Sequence, residues 1–185
     1  MKYGKHYLSI KRPIWVGGVL SGHFKSAWQG LDLQEIENPS YEDFEPLIDQ
    51  IETGVKWRDL VGYSKEAMEP VFADPQTRLF LLKRGADTVG YSLVIKAKPA
   101  FTTRFNASAK DEKIIEIENL ALFEAYRGDG LGKSYFEMMF KELFKTHNVV
   151  CWGTSDFNAP TLLKFYTDRL RMNVLGYDAP KAKVT

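Results

Sequence analysis

Eight residues, Arg127-Gly128-Asp129-Gly130-Leu131-Gly132-Lys133-Ser134, stand between a β-branched, leucine-rich stretch and a long amphipathic segment, and they constrain the fold more than any other part of the chain. They read as a strand end, a tight turn and a helix N-terminus. The first turn of such a helix carries backbone N–H groups with no intrahelical acceptor, and the aligned peptide dipoles add partial positive charge there. Glycines let the main chain turn sharply and approach a phosphate without a Cβ in the way, so the chemistry implied is recognition of a phosphorylated ligand. Spacing limits which one. The P-loop pattern Gly-x-x-x-x-Gly-Lys-Ser/Thr needs its first glycine where the chain has Arg127. The dinucleotide pattern Gly-x-Gly-x-x-Gly is met by Gly128 and Gly130, but its third glycine falls on Lys133. A glycine turn that starts a helix and binds nothing is the plain alternative for the loop taken alone.

Upstream, Lys113 to Leu122 alternates as a half-buried strand, with Ile115 and Ile117 on one face and Glu116 and Glu118 on the other. The phase then changes. Leu120 and Leu122 continue the apolar set only if one extra residue is inserted near Asn119, which is how a β-bulge reads in sequence. Downstream, Leu131 to His147 predicts a helix. Leu131, Tyr135, Met138, Met139 and Leu143 recur at helical spacing, while Lys133, Glu137, Lys141 and Lys145 form a second stripe read as a solvated face. Val149 to Trp152 fits a buried strand, and Asn158-Ala159-Pro160 is a cap-plus-proline helix start.

A third glycine pattern, Arg/Gln-x-x-Gly-x-Gly/Ala, is met by Arg127, Gly130 and Gly132, and here the chain resembles the GNAT superfamily of N-acetyltransferases. Leu120-Ala121-Leu122-Phe123-Glu124-Ala125-Tyr126-Arg127 is similar to the run that precedes this loop in the family, with Glu124 where proline is common. Asn158, Pro160, Leu162-Leu163 and Tyr166 hold the spacing of the Asp-His-Pro segment of many bacterial members, with Asn158 replacing the aspartate. Lys56 to Ser64 resembles the Trp-rich stretch before the central hairpin. The chain departs from the family after Tyr166, where Leu170 and Arg171 replace the usual Gly-Phe.

The resemblance implies an α/β (α+β) fold: a mixed, mostly antiparallel sheet with flanking helices and a bulged fourth strand splayed from the fifth. It also implies transfer of an acetyl or other short acyl group from acetyl-CoA to a primary amine. The residues from Gly128 through Asp129, Gly130, Leu131 and Gly132 to Lys133 would cradle the pyrophosphate, with Arg127 acting more through its amide than its side chain. The main chain of Leu120 and Leu122 would pair with the pantetheine arm, the Leu122 N–H facing the developing oxyanion. Asn158 would hold the coenzyme arm, its plain alternative being a helix cap.

Tyr166 is the candidate general acid for the leaving thiolate, or else a core aromatic. A thiol of pKa about 8.5 against a phenol near 10 makes full proton transfer uphill by roughly 2 kcal/mol, so hydrogen-bond stabilisation is the role assigned to it. Glu116 and Glu118 are candidate proton acceptors for the amine, or ordinary solvated strand carboxylates.

The remaining sequence reads as one domain, 1–185, with residues 1–30 an extension of unassigned role. Leu31 to Ile36 predicts a strand, Tyr41 to Ile51 a helix, Ser64 the start of another, and Arg78–Leu82 with Thr88–Ile95 a hairpin. Tyr3 to Trp15 fits an added edge strand, Gly17 to Gly22 a turn-rich bend, and Lys98 to Asp111 a long loop. No apolar run reaches the roughly 18 residues that a membrane helix needs, and no signal-like segment opens the chain, so the expectation is a cytoplasmic protein without membrane contact. Cys151 reads as a buried structural thiol, and His6, His23 and His147 lack ligand spacing, so no metal site is expected. A net charge of +1, from 25 basic and 24 acidic residues, gives no electrostatic case for nucleic acid.

The expected partner is a small-molecule or peptide amine, and the expected state is a monomer or homodimer. Two alternatives stay open: a non-catalytic coenzyme A-binding sensor or scaffold, and, less well matched, a P-loop hydrolase.

Overall fold

The computed structural model describes residues 4–20, 30–51, 62–104, 112–128, 130–155 and 160–179. Its elements are β1 (Lys5–Lys11), α1 (Arg12–Leu20), β2 (Leu31–Ile36), α2 (Tyr41–Asp49), α3 (Lys65–Phe72), β3 (Arg78–Arg84), β4 (Asp87–Lys96), α4 (Pro99–Thr102), β5 (Ile114–Leu122), α5 (Leu131–Leu143), β6 (Val149–Ser155), α6 (Pro160–Lys164) and β7 (Asn173–Asp178). The chain divides into two compact units, one of Met1–Ser26, Ala97–Glu116 and Phe136–Thr185, the other of Ala27–Lys96 and Ile117–Tyr135. No helix among the described residues is long and apolar enough to cross a membrane.

In the second unit the strand order is β2-β3-β4-β5. β3 and β4 form an antiparallel hairpin that closes on a two-residue loop, because Arg84 pairs with Asp87 and Gly85, at φ +62°, supplies the positive φ such loops require. The strands therefore run further than the alternation alone suggested. The Phe123 N–H donates to the Val89 carbonyl at 3.0 Å, which sets the end of β5 against the start of β4, antiparallel.

Helix α2 starts at a capping box: the Ser40 N–H donates to Asp43 Oδ2 at 2.9 Å, and the Asp43 N–H donates back to Ser40 Oγ at 3.3 Å. Ser64 caps α3 by half of that pattern, its Oγ accepting the Ala67 N–H at 3.4 Å. These caps aim Phe44, Leu47, Ile48 and Met68 at Leu79, Tyr91, Leu93 and Phe123, giving the unit an aromatic core in which Phe44 meets Tyr91 edge-on at 5.7 Å.

One glycine of β4 is set by crowding. A Cβ at Gly90 would lie 2.4 Å from the Ala121 carbonyl oxygen and 3.3 Å from Leu122 Cα, both backbone atoms that cannot rotate away. Gly90→Ala is therefore expected to cost about 1–3 kcal/mol by forcing β5 off β4. Urea unfolding measures this, and an unchanged midpoint would show that the strands can part freely.

In the first unit the order is β5-β6-β1-β7. The Asn148 and Val149 N–H groups both donate to the Lys113 carbonyl, and the Cys151 thiol reaches the Ile115 carbonyl at 3.2 Å, so β5 and β6 start together and run parallel. The β5-α5-β6 run is thus a helical crossover of the kind a parallel pair requires. β1 is not an edge strand. It pairs antiparallel with β6 on one side and β7 on the other, which Leu8 and Ile10, fully buried, make favourable.

The residues expected as a bend from Gly17 instead continue α1 to Leu20, with Trp15 packed on Phe144 at 5.6 Å. Ser21 and Gly22, the end of that expected bend, lie outside the described residues. The expected loop from Lys98 contains the short helix α4.

Helix α5 corrects the two-stripe reading. Phe136, Phe140 and Phe144 form a second apolar ridge at four-residue spacing, all buried, and Glu137 is only 1% exposed. The buried arc is wider than one stripe because this ridge adds to that of Tyr135, Met139 and Leu143. Lys141 and Lys145 do stay exposed.

Candidate functional site

β5 ends at Leu122, a 3-10 turn covers Glu124–Tyr126, and the chain then swings through Arg127 and Gly128 into α5. Gly128 and Gly130 have φ of +96° and +75°, and a Cβ on either would meet nothing within 4 Å. Backbone conformation, not crowding, selects glycine at both. The Lys133 N–H donates to the Gly130 carbonyl at 3.2 Å, closing a tight first turn. The Leu131 and Gly132 amides then belong to the first turn, whose donors point out of the helix N-terminus. Gly132 differs from the other two: its φ is ordinary and its Cβ would touch only Leu122 Cδ1, at 3.9 Å. Asp129 lies outside the described residues.

Arg127 behaves differently from the sequence expectation. Its amide is spent in the 3-10 turn, donating to the Glu124 carbonyl at 3.1 Å, while its side-chain Nε–H donates to the Leu122 carbonyl at 2.9 Å. One peptide plane, Leu122–Phe123, is therefore pinned on both sides: its N–H by Val89 and its C=O by Arg127. Backbone groups alternate along a strand, so with the Phe123 N–H toward β4, the Leu122 N–H and the Leu120 main chain face the opposite edge of β5. On that edge the Leu122 carbonyl is taken up by the Arg127 side chain. The leucines are half-buried, and Ala121 and Phe123 are the residues that pack into the aromatic core.

The two glutamates of β5 have different surroundings. Glu116 is 1% exposed, between the buried Ile115 and Ile117, and its Oε2 accepts the Lys98 N–H at 2.9 Å, with the Lys98 ammonium 4.0 Å from Oε1. This removes the solvated alternative for Glu116: the strand is buried on both faces there, and the start of α4 satisfies the charge. Glu118 is half-buried, and its Oε1 lies 3.3 Å from the hydroxyl of Tyr63. Tyr63 lay in the Trp-rich stretch of the sequence without a role. Its phenol is pushed well above the usual range, first by burial and then by the Glu118 charge.

In the first unit, Tyr166 sits on a π-helical turn, Phe165–Arg169, a rare geometry that recurs at functional sites. The residue is 3% exposed, and its ring packs against Phe136, Trp152 and Phe165 at 5.7, 5.4 and 5.7 Å. Burial raises the phenol above its ordinary value, with the Trp152 indole opposing the shift. The Met172 N–H donates to the Tyr166 carbonyl, and Arg171, at φ +55°, turns the chain into β7 where the family has Gly-Phe. Cys151 is fully buried and its thiol is raised by desolvation, the environment of a structural residue. Asn158 lies outside the described residues, and no cluster of metal-binding side chains occurs among those described.

No protein-family model matches the chain, and no curated protein matches its sequence. Solved structures match in fold. A functionally unknown conserved protein from Staphylococcus epidermidis superposes over 95% of this chain with TM-score 0.61 at 12% identity, and this chain spans 59% of that one. An aminoglycoside acetyltransferase from an uncultured soil metagenomic sample, in complex with sisomicin, matches 76% of this chain and 88% of its own, with TM-score 0.52 at 11% identity. An IAA acetyltransferase from Bacillus cereus matches 75% and 74%, with TM-score 0.50 at 16% identity. The chain has the GNAT fold. Within the GNAT fold, the β5-loop-α5 run holds the motif that carries the sequence resemblance, and β1, from the N-terminal 30 residues, lies between β6 and β7.

Proposed function

We propose that this protein is an N-acyltransferase that moves an acetyl or similar short acyl group from acetyl-CoA to a primary amine. The observation that carries the reading is the loop of Gly128 and Gly130, both at positive φ, feeding the N-terminus of α5 in a GNAT fold. The Leu131 and Gly132 amides would hold the coenzyme pyrophosphate, with Asp129 and Lys133 flanking them. Leu120 and Leu122 would line the pantetheine arm, and Asn158 would hold that arm by its amide.

In the reaction the neutral amine attacks the thioester carbon, the C–N bond forms, and the C–S bond breaks with its electron pair on sulfur. The Leu122 N–H would stabilise the oxyanion between these events, a contribution typically worth about 3 kcal/mol. Arg127, by pinning the next peptide plane, would keep that N–H aimed. Glu118 would take the proton of the attacking amine, in preference to Glu116, whose carboxylate is tied to Lys98. Tyr166 would donate a hydrogen bond to the departing thiolate.

Gly132 gives the clean test, because a substitution at Gly130 strains the backbone whatever the ligand. Gly132→Glu adds a carboxylate that the helix dipole favours by about 0.3–1 kcal/mol but that repels a pyrophosphate. Acetyl-CoA affinity by calorimetry should fall tenfold or more, about 1.4 kcal/mol, with the fold intact. Gly132→Ala should retain binding. Equal affinity for acetyl-CoA in the glutamate variant would remove the loop from the site, and tight binding of ATP in place of acetyl-CoA would point to a nucleotide enzyme.

A further inference from the structure

The loop and the strand edge account for the coenzyme, but they leave one feature of the second unit without a purpose. Tyr63 is held from three directions. Its ring meets Phe44 edge-on at 5.6 Å, its carbonyl accepts from the Tyr41 hydroxyl at 3.3 Å, and the next residue, Ser64, is locked as the cap of α3. The residue is 4% exposed, yet its hydroxyl reaches the surface of β5 at a carboxylate that is itself only half-buried. There it lies 3.3 Å from Glu118 Oε1 and 3.5 Å from the Glu118 carbonyl, and the Asn119 amide donates to it at 3.5 Å.

A phenol fixed in this way donates its only proton in one direction. Among these contacts the carboxylate is the strongest acceptor, since a charged oxygen holds a hydrogen bond more tightly than a neutral carbonyl. The Asn119 amide, by donating to the phenol oxygen, leaves the O–H free to turn toward Glu118. The result is a buried donor that fixes the orientation of a partly exposed carboxylate. That is the arrangement a group needs if it is to meet an ammonium ion in one orientation and accept a proton from it.

We propose that Tyr63 is a positioning residue for Glu118, orienting its carboxylate toward the ammonium group of the acceptor; this rests on the acyl-transfer reading given above. Tyr63 acts through Glu118 and touches neither the coenzyme nor the thioester.

Tyr63→Phe keeps the ring and its packing and deletes only the hydroxyl. With n-butylamine as the acceptor probe, kcat/KM for the amine should fall about tenfold, whereas acetyl-CoA affinity by calorimetry should stay within about twofold of the parent. The double variant Tyr63→Phe/Glu118→Gln should lose no more than Glu118→Gln alone, because residues acting as one unit are not additive. Independent effects that add would overturn the proposal, as would a loss of coenzyme affinity equal to the loss in kcat/KM.

A readout free of turnover separates this idea from the reading beneath it. In protein carrying carbon-13 at glutamate carboxyls, the Glu118 resonance should move on adding n-butylamine, and should move less in Tyr63→Phe. An identical response in both proteins would refute Tyr63 as the positioning group. Should no amine be turned over while the resonance behaves as expected, acyl transfer fails and the Tyr63–Glu118 unit stands.

Discussion

Raising the pH from about 8 to about 11 should strip the folded protein of most of its stability, by on the order of 5 kcal/mol. Tyr63, Tyr135, Tyr166 and Cys151 are all raised in the folded chain, with burial the largest cause at each, although Ser92 opposes the shift at Tyr135 and Trp152 at Tyr166. Their unfolded values are about 8.5 for the thiol and about 10 for the phenols. Above those values the unfolded chain releases protons that the folded chain retains, so stability is full below about pH 8.5 and declines as pH rises. Each proton that the folded chain retains costs about 1.4 kcal/mol per pH unit above the unfolded value, so by pH 11 the Cys151 thiol and the Tyr166 phenol alone account for about 5 kcal/mol, the lower end of an ordinary domain's stability. Urea midpoints measured across this range check the claim. The thiol titrates first in the unfolded chain, so Cys151→Ala should delay the onset of the decline. A flat profile would mean that these groups meet water in the folded state.

Tyr166→Phe should lower turnover by about tenfold to hundredfold while leaving acetyl-CoA affinity near that of the parent. The ring contacts with Phe136, Trp152 and Phe165 survive the change, and only the hydroxyl goes. Since burial raises the phenol, it stays protonated across the neutral range and would serve as the proposed hydrogen-bond donor to sulfur, while full transfer of its proton becomes less favourable still. The expected loss is therefore that of a strong hydrogen bond to a developing charge. Steady-state kinetics beside calorimetry separates the outcomes. Full activity in the variant assigns the thiolate proton to another group. A parent protein that binds acetyl-CoA and acylates no amine is a sensor or scaffold.

What the sequence determined by itself is local. The Arg127 to Gly132 spacing, the alternation from Lys113 with its phase change near Asn119, the helix start at Ser64 and the helical period from Leu131 each depend on residues within a few positions of one another, so the strand-loop-helix at the centre of the proposed site was legible without coordinates. Gly90 was half legible: a lone glycine inside a strand signals close approach, but only the Ala121 carbonyl at 2.4 Å says to what.

Tertiary structure decided the rest, because burial and partner choice are set by chain segments far apart in sequence. Glu116 and Glu118 are equivalent by alternation. One meets the start of α4 and is buried, the other meets Tyr63, 55 residues away, and stays half-buried. Arg127 looked like a loop residue acting through its amide, until the Leu122 carbonyl was found to hold its side chain. β1 read as an edge strand because its alternation shows a buried face but not how many neighbours it has, and its two partners come from the C-terminal part of the chain. Glu137 read as solvated because one helical stripe was counted, while the ridge of Phe136, Phe140 and Phe144 widened the buried arc to include it. For Glu116, Glu118 and β1 the local pattern was correct and the deciding contact lay beyond any sequence window, whereas the Arg127–Leu122 bond and the phenylalanine ridge lie within one, and only their geometry and burial needed the fold.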